Sequence, residues 1–179
     1  PERISRGLRT FLGLKRVNQQ ADGSCVFHSL ALVARERGIF DGDHDQMKNC
    51  LVDYVCDNWD EFEEFYIYRY ATKDEYRSAM SDGAWGGPVE LVAFERLFSL
   101  QIYIVRVTQG GIAISTHDTD LEDFKTSYVE DPNGVFLYHA GRTHYDVLVK
   151  DDEEEDKEGE EAVGGAEGSA VRGAPPPPP

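Results

Sequence analysis

Asp22-Gly23-Ser24-Cys25-Val26-Phe27-His28-Ser29-Leu30-Ala31-Leu32 places a cysteine where a glycine turn meets an apolar run. Val26, Leu30 and Val33 recur at helical spacing and Gly38 is a stop signal, so the run reads as a helix from about Cys25 to Arg37. Gly23 removes a side chain just ahead of the cysteine, which permits a tight turn and close approach of a substrate backbone. A thiolate at a helix N-terminus is stabilised by the helix dipole, and backbone N–H groups of the same turn can form an oxyanion hole. A buried helix cysteine behind an ordinary Asp-Gly turn has the same local pattern, so the stretch does not decide the chemistry by itself.

The second stretch is His144-Tyr145-Asp146, followed by Val147-Leu148-Val149. In a strand, residues two apart point to one face, so Asp146 can accept from one nitrogen of His144 while the other faces a thiol. The 119 residues from Cys25 to His144 are no obstacle, because such groups meet in space and not in sequence. A nucleophile, a base and an orienting acid are the parts of a thiol protease.

Between and around these stretches the pattern alternates in character. Ile4, Leu8, Phe11 and Leu12 share a helical face, which reads as a short amphipathic helix within residues 1–16. A second central helix covers about His44 to Asn58, burying Met47, Leu51, Tyr54 and Val55. Thr72-Lys73-Asp74-Glu75 reads as a capping box opening a helix through Met80. Trp85-Gly86-Gly87 is a loop, and Pro88 opens a helix to about Ser99. Gln101 to Val107 is a β-branched strand, and Gly110-Gly111 turns it into Ile112 to Ser115. Residues 117–132 read as a polar loop, and Val135 to Tyr138 and Tyr145 to Val149 as two strands joined around Gly141. Helices followed by a small, mostly antiparallel sheet define an α+β domain, with the sheet packed between helices.

Composition narrows the function classes. The chain has 179 residues, enough for one domain with a sizeable core. Three cysteines are an odd number, which argues against a disulfide framework and suits a reducing compartment, cytoplasmic or nuclear. Cys50 and Cys56 lie about 240° apart around a helix, which reads as core and not as a metal pair. No metal and no organic cofactor is implied. Neither a membrane-spanning run nor a signal peptide is visible, and Pro1 in place of Met reads as a processed or excised chain.

The net charge is −16. Acidity disfavours nucleic-acid phosphates and suits a partner with a basic face. The first sixteen residues run the other way, with Arg3, Arg6, Arg9, Lys15 and Arg16 against Glu2. Residues 151–179 hold ten acids and two bases, then Gly/Ala, then Pro175 to Pro179, and read as a disordered tail. The expected organisation is therefore an N-terminal extension over 1–14, a domain over 15–150 and a tail over 151–179.

At three places the chain resembles the ovarian-tumour (OTU) family of cysteine proteases, which are deubiquitinases. Asp22-Gly23-Ser24-Cys25-Val26-Phe27-His28 is similar to the family's Asp-Gly-x-Cys-aromatic block. Trp85-Gly86-Gly87-Pro88-Val89-Glu90-Leu91 resembles its Trp-Gly-Gly segment, and His144-Tyr145-Asp146 its histidine block. The resemblance covers about residues 15–149 in the right order. It implies an OTU-type fold, Cys25 as nucleophile, His144 as general base, Asp146 as orienter, and Asp22 as an acid shaping the oxyanion turn. It further implies a substrate channel built from Gly23, Ser24, Trp85, Gly86 and Gly87. Ser24 stands where the family commonly has asparagine, and Pro88 where it commonly has an acid.

The activity this resemblance implies is hydrolysis of isopeptide bonds after the C-terminal glycine of ubiquitin. The implied partners are ubiquitin, polyubiquitin chains and ubiquitinated proteins. Two alternatives share the same residues: a catalytically silent ubiquitin-binding module, and a protease of the same class acting on another ubiquitin-like modifier. The pattern fixes neither linkage preference nor oligomeric state.

Overall fold

The computed structural model describes residues 2–66, 69–109, 111–116, 120–121, 131–141 and 144–151. The chain runs α1 (Glu2–Leu12), β1 (Leu14–Val17), α2 (Cys25–Glu36), α3 (His44–Asp57), α4 (Trp59–Tyr66), α5 (Lys73–Ser81) and α6 (Pro88–Phe98). The remaining strands follow: β2 (Ile102–Thr108), β3 (Gly111–Ser115), β4 (Asp120–Leu121), β5 (Val135–Ala140) and β6 (His144–Lys150). They form one sheet of order β1-β6-β5-β2-β3-β4. Only the central β2–β5 pair is parallel; all other neighbours are antiparallel.

Alternation sorts the strand side chains into two cores. Ile102, Ile104, Val135, Leu137, Tyr145 and Val147 pack with α2, α3 and α6 on one face. Tyr103, Val105, Phe136, Tyr138 and Leu148 pack on the other with Leu14 and with Leu8 and Leu12 of α1. The sheet is thus covered on both faces, which explains why β2 and β5 read as continuous apolar runs.

Several expectations change. The helix expected within residues 1–16 stops at Leu12, because Gly13 takes φ +60° and ends it. Leu14 to Val17 then pair with Lys150 to Val147 as an edge strand. The aromatic stretch after residue 59 is helical as α4, with Phe62 fully buried and meeting Tyr54 edge-on. Tyr54 itself is only half-buried, and so is Cys50, whereas Cys56 is core. Thr72 does cap α5, accepting from the Glu75 N–H, but Glu75 reaches Ala71 instead of Thr72. The reciprocal capping box is at Asp43 and Gln46, opening α3. Within the supposed loop over 117–132, Asp120 and Leu121 pair with β3 as β4. The acidic and proline-rich run over 152–179 lies outside the described residues. Among the described residues, no helix is long and apolar enough to cross a membrane.

Both ends of α2 are tied to the sheet. At its C-terminal end the Arg37 guanidinium donates to the carbonyls of Asn133 and Gly134, the second at 2.7 Å. The Tyr103 hydroxyl donates to Asp131 at 2.9 Å, and a side chain at Gly134 would meet the Tyr103 ring. The turn leading into β5 is therefore clamped between α2 and β2. Arg37→Ala removes donors to two carbonyls at an exposed site. A loss of about 1 kcal/mol is expected, read as a lower urea midpoint with an unchanged slope.

Candidate active site

Asp22 to Ser24 fold as a turn because the Ser24 N–H donates to the Asp22 carboxylate at 2.9 Å. Gly23 takes φ +83°, a conformation that favours glycine. That N–H, opposed by partial desolvation and aided by His28, holds the Asp22 carboxyl below its ordinary value. Asp22 lies on the exposed side of the turn, 3.6 Å from His28. Ser24 is the N-cap of α2 without a side-chain cap bond, and Cys25 follows as the first helical residue, buried and not disulfide-bonded.

Cys25 meets β6 at one backbone unit. The Tyr145 N–H donates to Cys25 Sγ at 3.4 Å, and Ser29 Oγ, one helical turn on, donates to the Tyr145 carbonyl at 3.4 Å. β1 makes this possible. Its pairing ends at Val17 opposite Val147, two residues short of where it would face Tyr145. The edge that β1 vacates is filled by the first two turns of α2.

His144 and Asp146 flank Tyr145 on the opposite face of the strand. His144 Nε2 lies 2.9 Å from Asp146 Oδ1. An ionised carboxylate only accepts, so Nε2 carries the proton and Nδ1 is left as an acceptor. Nδ1 is buried and has no hydrogen-bond partner. Asp146 is fully buried. Its Oδ1 also accepts from the Gln19 backbone N–H at 2.6 Å, and its Oδ2 accepts from Arg16 Nε at 2.6 Å and from a second guanidinium nitrogen. The Arg16 guanidinium in turn lies 4.6 Å from the centre of the Tyr138 ring.

The third stretch reaches the same place. A Cβ on Gly23 would lie 3.1 Å from Trp85 Nε1, and one on Gly86 would lie 2.6 Å from Val26 and 2.9 Å from the Phe27 ring. Trp85 and Gly86 therefore rest on the turn and first residues of α2. Trp85 is 46% exposed, so it forms a wall and is not a core residue. Gly87 stands one step away as the N-cap of α6. Its N–H donates to Glu90 at 2.6 Å, and the Tyr76 hydroxyl donates to the other Glu90 oxygen at 2.7 Å. Burial pushes the Glu90 carboxyl above its ordinary value, against the pull of these two donors.

Arg16, Gln19, Ser29 and Glu90 are the contributors that sequence reasoning missed. Glu90 had a signal, as the single acid inside Val89 to Phe94. Arg16 had only its alternation with Leu14, hidden by the basic run around it. His139 stacks on Tyr145 with ring centres 4.5 Å apart and accepts from Arg106, so it is occupied on the sheet. Among the described residues, no cluster of histidine, cysteine and carboxylates is placed to hold a metal. A cleft of about 420 Å³ lies at the far end of α2 beside Arg37 and Lys150 and includes none of Cys25, His144, Asp146 and Trp85.

A buried cysteine at a helix start, touching the strand whose imidazole is held by a carboxylate, on a sheet covered by helices, is an arrangement that a cysteine protease can use. Residues 20–145 match the family described as OTU-like cysteine protease, and the chain belongs to that family. A curated relative, the ovarian tumor domain-containing deubiquitinating enzyme 7 of Arabidopsis thaliana, is 28% identical over 143 residues. That match takes in 79% of this chain but only 34% of the relative, so the chain spans about a third of its length. The OTUD1 OTU domain superposes with a TM-score of 0.61 at 20% identity, covering 83% of this chain and 93% of that one. An OTU domain solved in complex with ubiquitin gives a TM-score of 0.54 at 19% identity, covering 76% of this chain and 69% of that one.

The Glu90 latch has a pH signature. With its folded carboxyl raised above the ordinary 4.5, the folded state keeps this proton to higher pH than the unfolded state does. Stability from this group is therefore fully present below that value and declines as pH rises through it. Glutamine can still accept from Gly87 and donate to Tyr76, but it does not titrate. Glu90→Gln should gain melting temperature relative to the parent as pH rises from about 4.5 towards 7. A constant difference across thermal scans in that range would contradict the assignment.

Proposed function

We propose that this chain is a thiol-dependent deubiquitinase, with Cys25, His144 and Asp146 as its triad. The observation that carries this reading is the 2.9 Å contact of His144 Nε2 with Asp146 Oδ1, which assigns the ring proton to Nε2. It leaves Nδ1 unpartnered, one residue from the Tyr145 N–H that touches Cys25 Sγ. Family membership supports the chemistry. The name of the curated relative and the ubiquitin-bound OTU structure support the substrate.

In this reading His144 Nδ1 takes the Cys25 proton as the sulfur attacks the carbonyl carbon of the terminal glycine of ubiquitin. The tetrahedral intermediate's oxygen is held by N–H groups of the first turn of α2. The Ser24 N–H is already engaged by Asp22, which makes Asp22 a turn-forming residue here and not a base. His144 then protonates the leaving lysine amine, and a thioester forms. Water, deprotonated by the same imidazole, attacks the thioester carbon; the acid leaves and the thiol recovers its proton. Gly23, Ser24, Trp85, Gly86 and Gly87 line the approach, where an extended glycine tail passes and a bulkier one does not. The acidic surplus of the chain suits the arginine-rich ubiquitin tail by long-range attraction.

The test is intact-mass analysis after mixing with ubiquitin carrying an electrophilic C-terminus. One covalent adduct is expected, absent in Cys25→Ala. Turnover of a ubiquitin–fluorophore substrate by Cys25→Ala should fall by roughly 10^3-fold or more, with the melting temperature little changed. A folded, reduced protein that forms no adduct with ubiquitin but reacts with a probe built on another modifier would reassign the substrate. Turnover persisting in Cys25→Ala would remove the nucleophile.

A further inference from the structure

Asp146 accepts from three groups, and two of them lie outside the histidine block. Its Oδ2 is given entirely to Arg16, through Nε at 2.6 Å and a second nitrogen, while Oδ1 serves His144 and the Gln19 N–H. Arg16 is itself fixed. It belongs to β1, it lies over the Tyr138 ring of β5, and its side chain is only one-fifth exposed. We infer that Arg16 is a positioning residue for the thiol–imidazole pair, acting through Asp146. This rests on the triad reading above and extends it to a residue of the first strand.

The physical argument is a division of roles. A carboxylate that served only as a counter-charge to His144 would be weakened by an arginine on its other oxygen. A carboxylate that must hold the imidazole in one orientation is improved by it, because the planar fork fixes the carboxylate plane. Asp146 is fully buried, so without Arg16 its second oxygen would lack a partner where water does not reach. The charged and titratable groups placed around Asp146 and Tyr145 are Arg16 from β1, Tyr138 and His139 from β5, His144 on their own strand, Arg106 of β2, Glu90 of α6, and Cys25 of α2, with Asp22 and His28 at the start of that helix. Arg16 therefore contributes both a fixed geometry and a permanent positive charge near the reacting pair.

The two contributions separate in two variants. Arg16→Lys keeps the charge and loses the fork. Its kcat should fall roughly tenfold with KM unchanged, and its pH dependence should stay where it is. Arg16→Met loses both. Its kcat should fall roughly 100-fold with KM unchanged, and the rate of iodoacetamide alkylation of Cys25 at one fixed pH, read by peptide mass, should fall because the imidazole that takes the thiol proton in the triad reading is no longer held. A purely structural role would lower the melting temperature, yet leave the kcat of folded protein and the fixed-pH alkylation rate unmoved. That outcome overturns the inference, as does Arg16→Lys with kcat within twofold of the parent. If Arg16→Met does not fold, Arg16→Lys decides alone. Alkylation needs no ubiquitin, so the lowered rate tests Arg16 even if the substrate proves to be another modifier. Persisting turnover in Cys25→Ala is a separate failure, of the triad reading itself.

Discussion

One backbone unit organises the site. The N–H and C=O of Tyr145 would be unsatisfied at the sheet edge, since β1 ends before reaching them. The first two turns of α2 supply both partners, Cys25 Sγ for the N–H and Ser29 Oγ for the carbonyl. A buried backbone group must find a partner, so this contact fixes where α2 starts along β6. Once it is set, strand alternation turns His144 and Asp146 to the other face, so the histidine stands one residue along the strand from the backbone that Cys25 touches. The clamp of Arg37 on the turn before β5 fixes the other end of the same helix.

The Trp85 segment is placed by exclusion. Gly86 approaches Val26 and Phe27 so closely that a methyl group would not fit, and Gly23 leaves room for the Trp85 ring. Two glycines 63 residues apart thus act as the two halves of one contact. The Glu90 carboxylate holds the far end by the Gly87 N–H. Burying that carboxylate is unfavourable, as its raised proton affinity shows, and the latch persists because two donors converge on it. The wall beside the thiol is therefore held from both of its ends.

Much of this was legible in the sequence because it depends on short-range rules. The helix from Cys25 follows from apolar spacing and a glycine turn, and the shared face of His144 and Asp146 follows from the two-residue period of a strand. The first strand was not legible. Leu14 to Val17 is only four residues long and lies inside a basic run, so helical periodicity of the preceding residues overran it until Gly13 took a left-handed conformation. Losing β1 meant losing Arg16, whose partner is 130 residues away. The box expected at Thr72 formed only in half, because Glu75 found the Ala71 N–H, and side-chain reach at a helix start is not settled by spacing.

The acid at position 146 is determined by the same accounting of donors. Arg16 brings two N–H groups to one oxygen, and Gln19 and His144 each bring one to the other. An asparagine offers one acceptor oxygen and an amide that donates. Placed here, its NH₂ would face either the guanidinium or the pair formed by Gln19 and His144. In the first case the Arg16 guanidinium, only one-fifth exposed, is left facing a donor. In the second the imidazole turns or takes the other tautomer, and the proton moves to Nδ1, the nitrogen that accepts from the thiol in the proposed mechanism. Only a carboxylate satisfies all the donors, so the arginine of the first strand and the acid of the last one require each other.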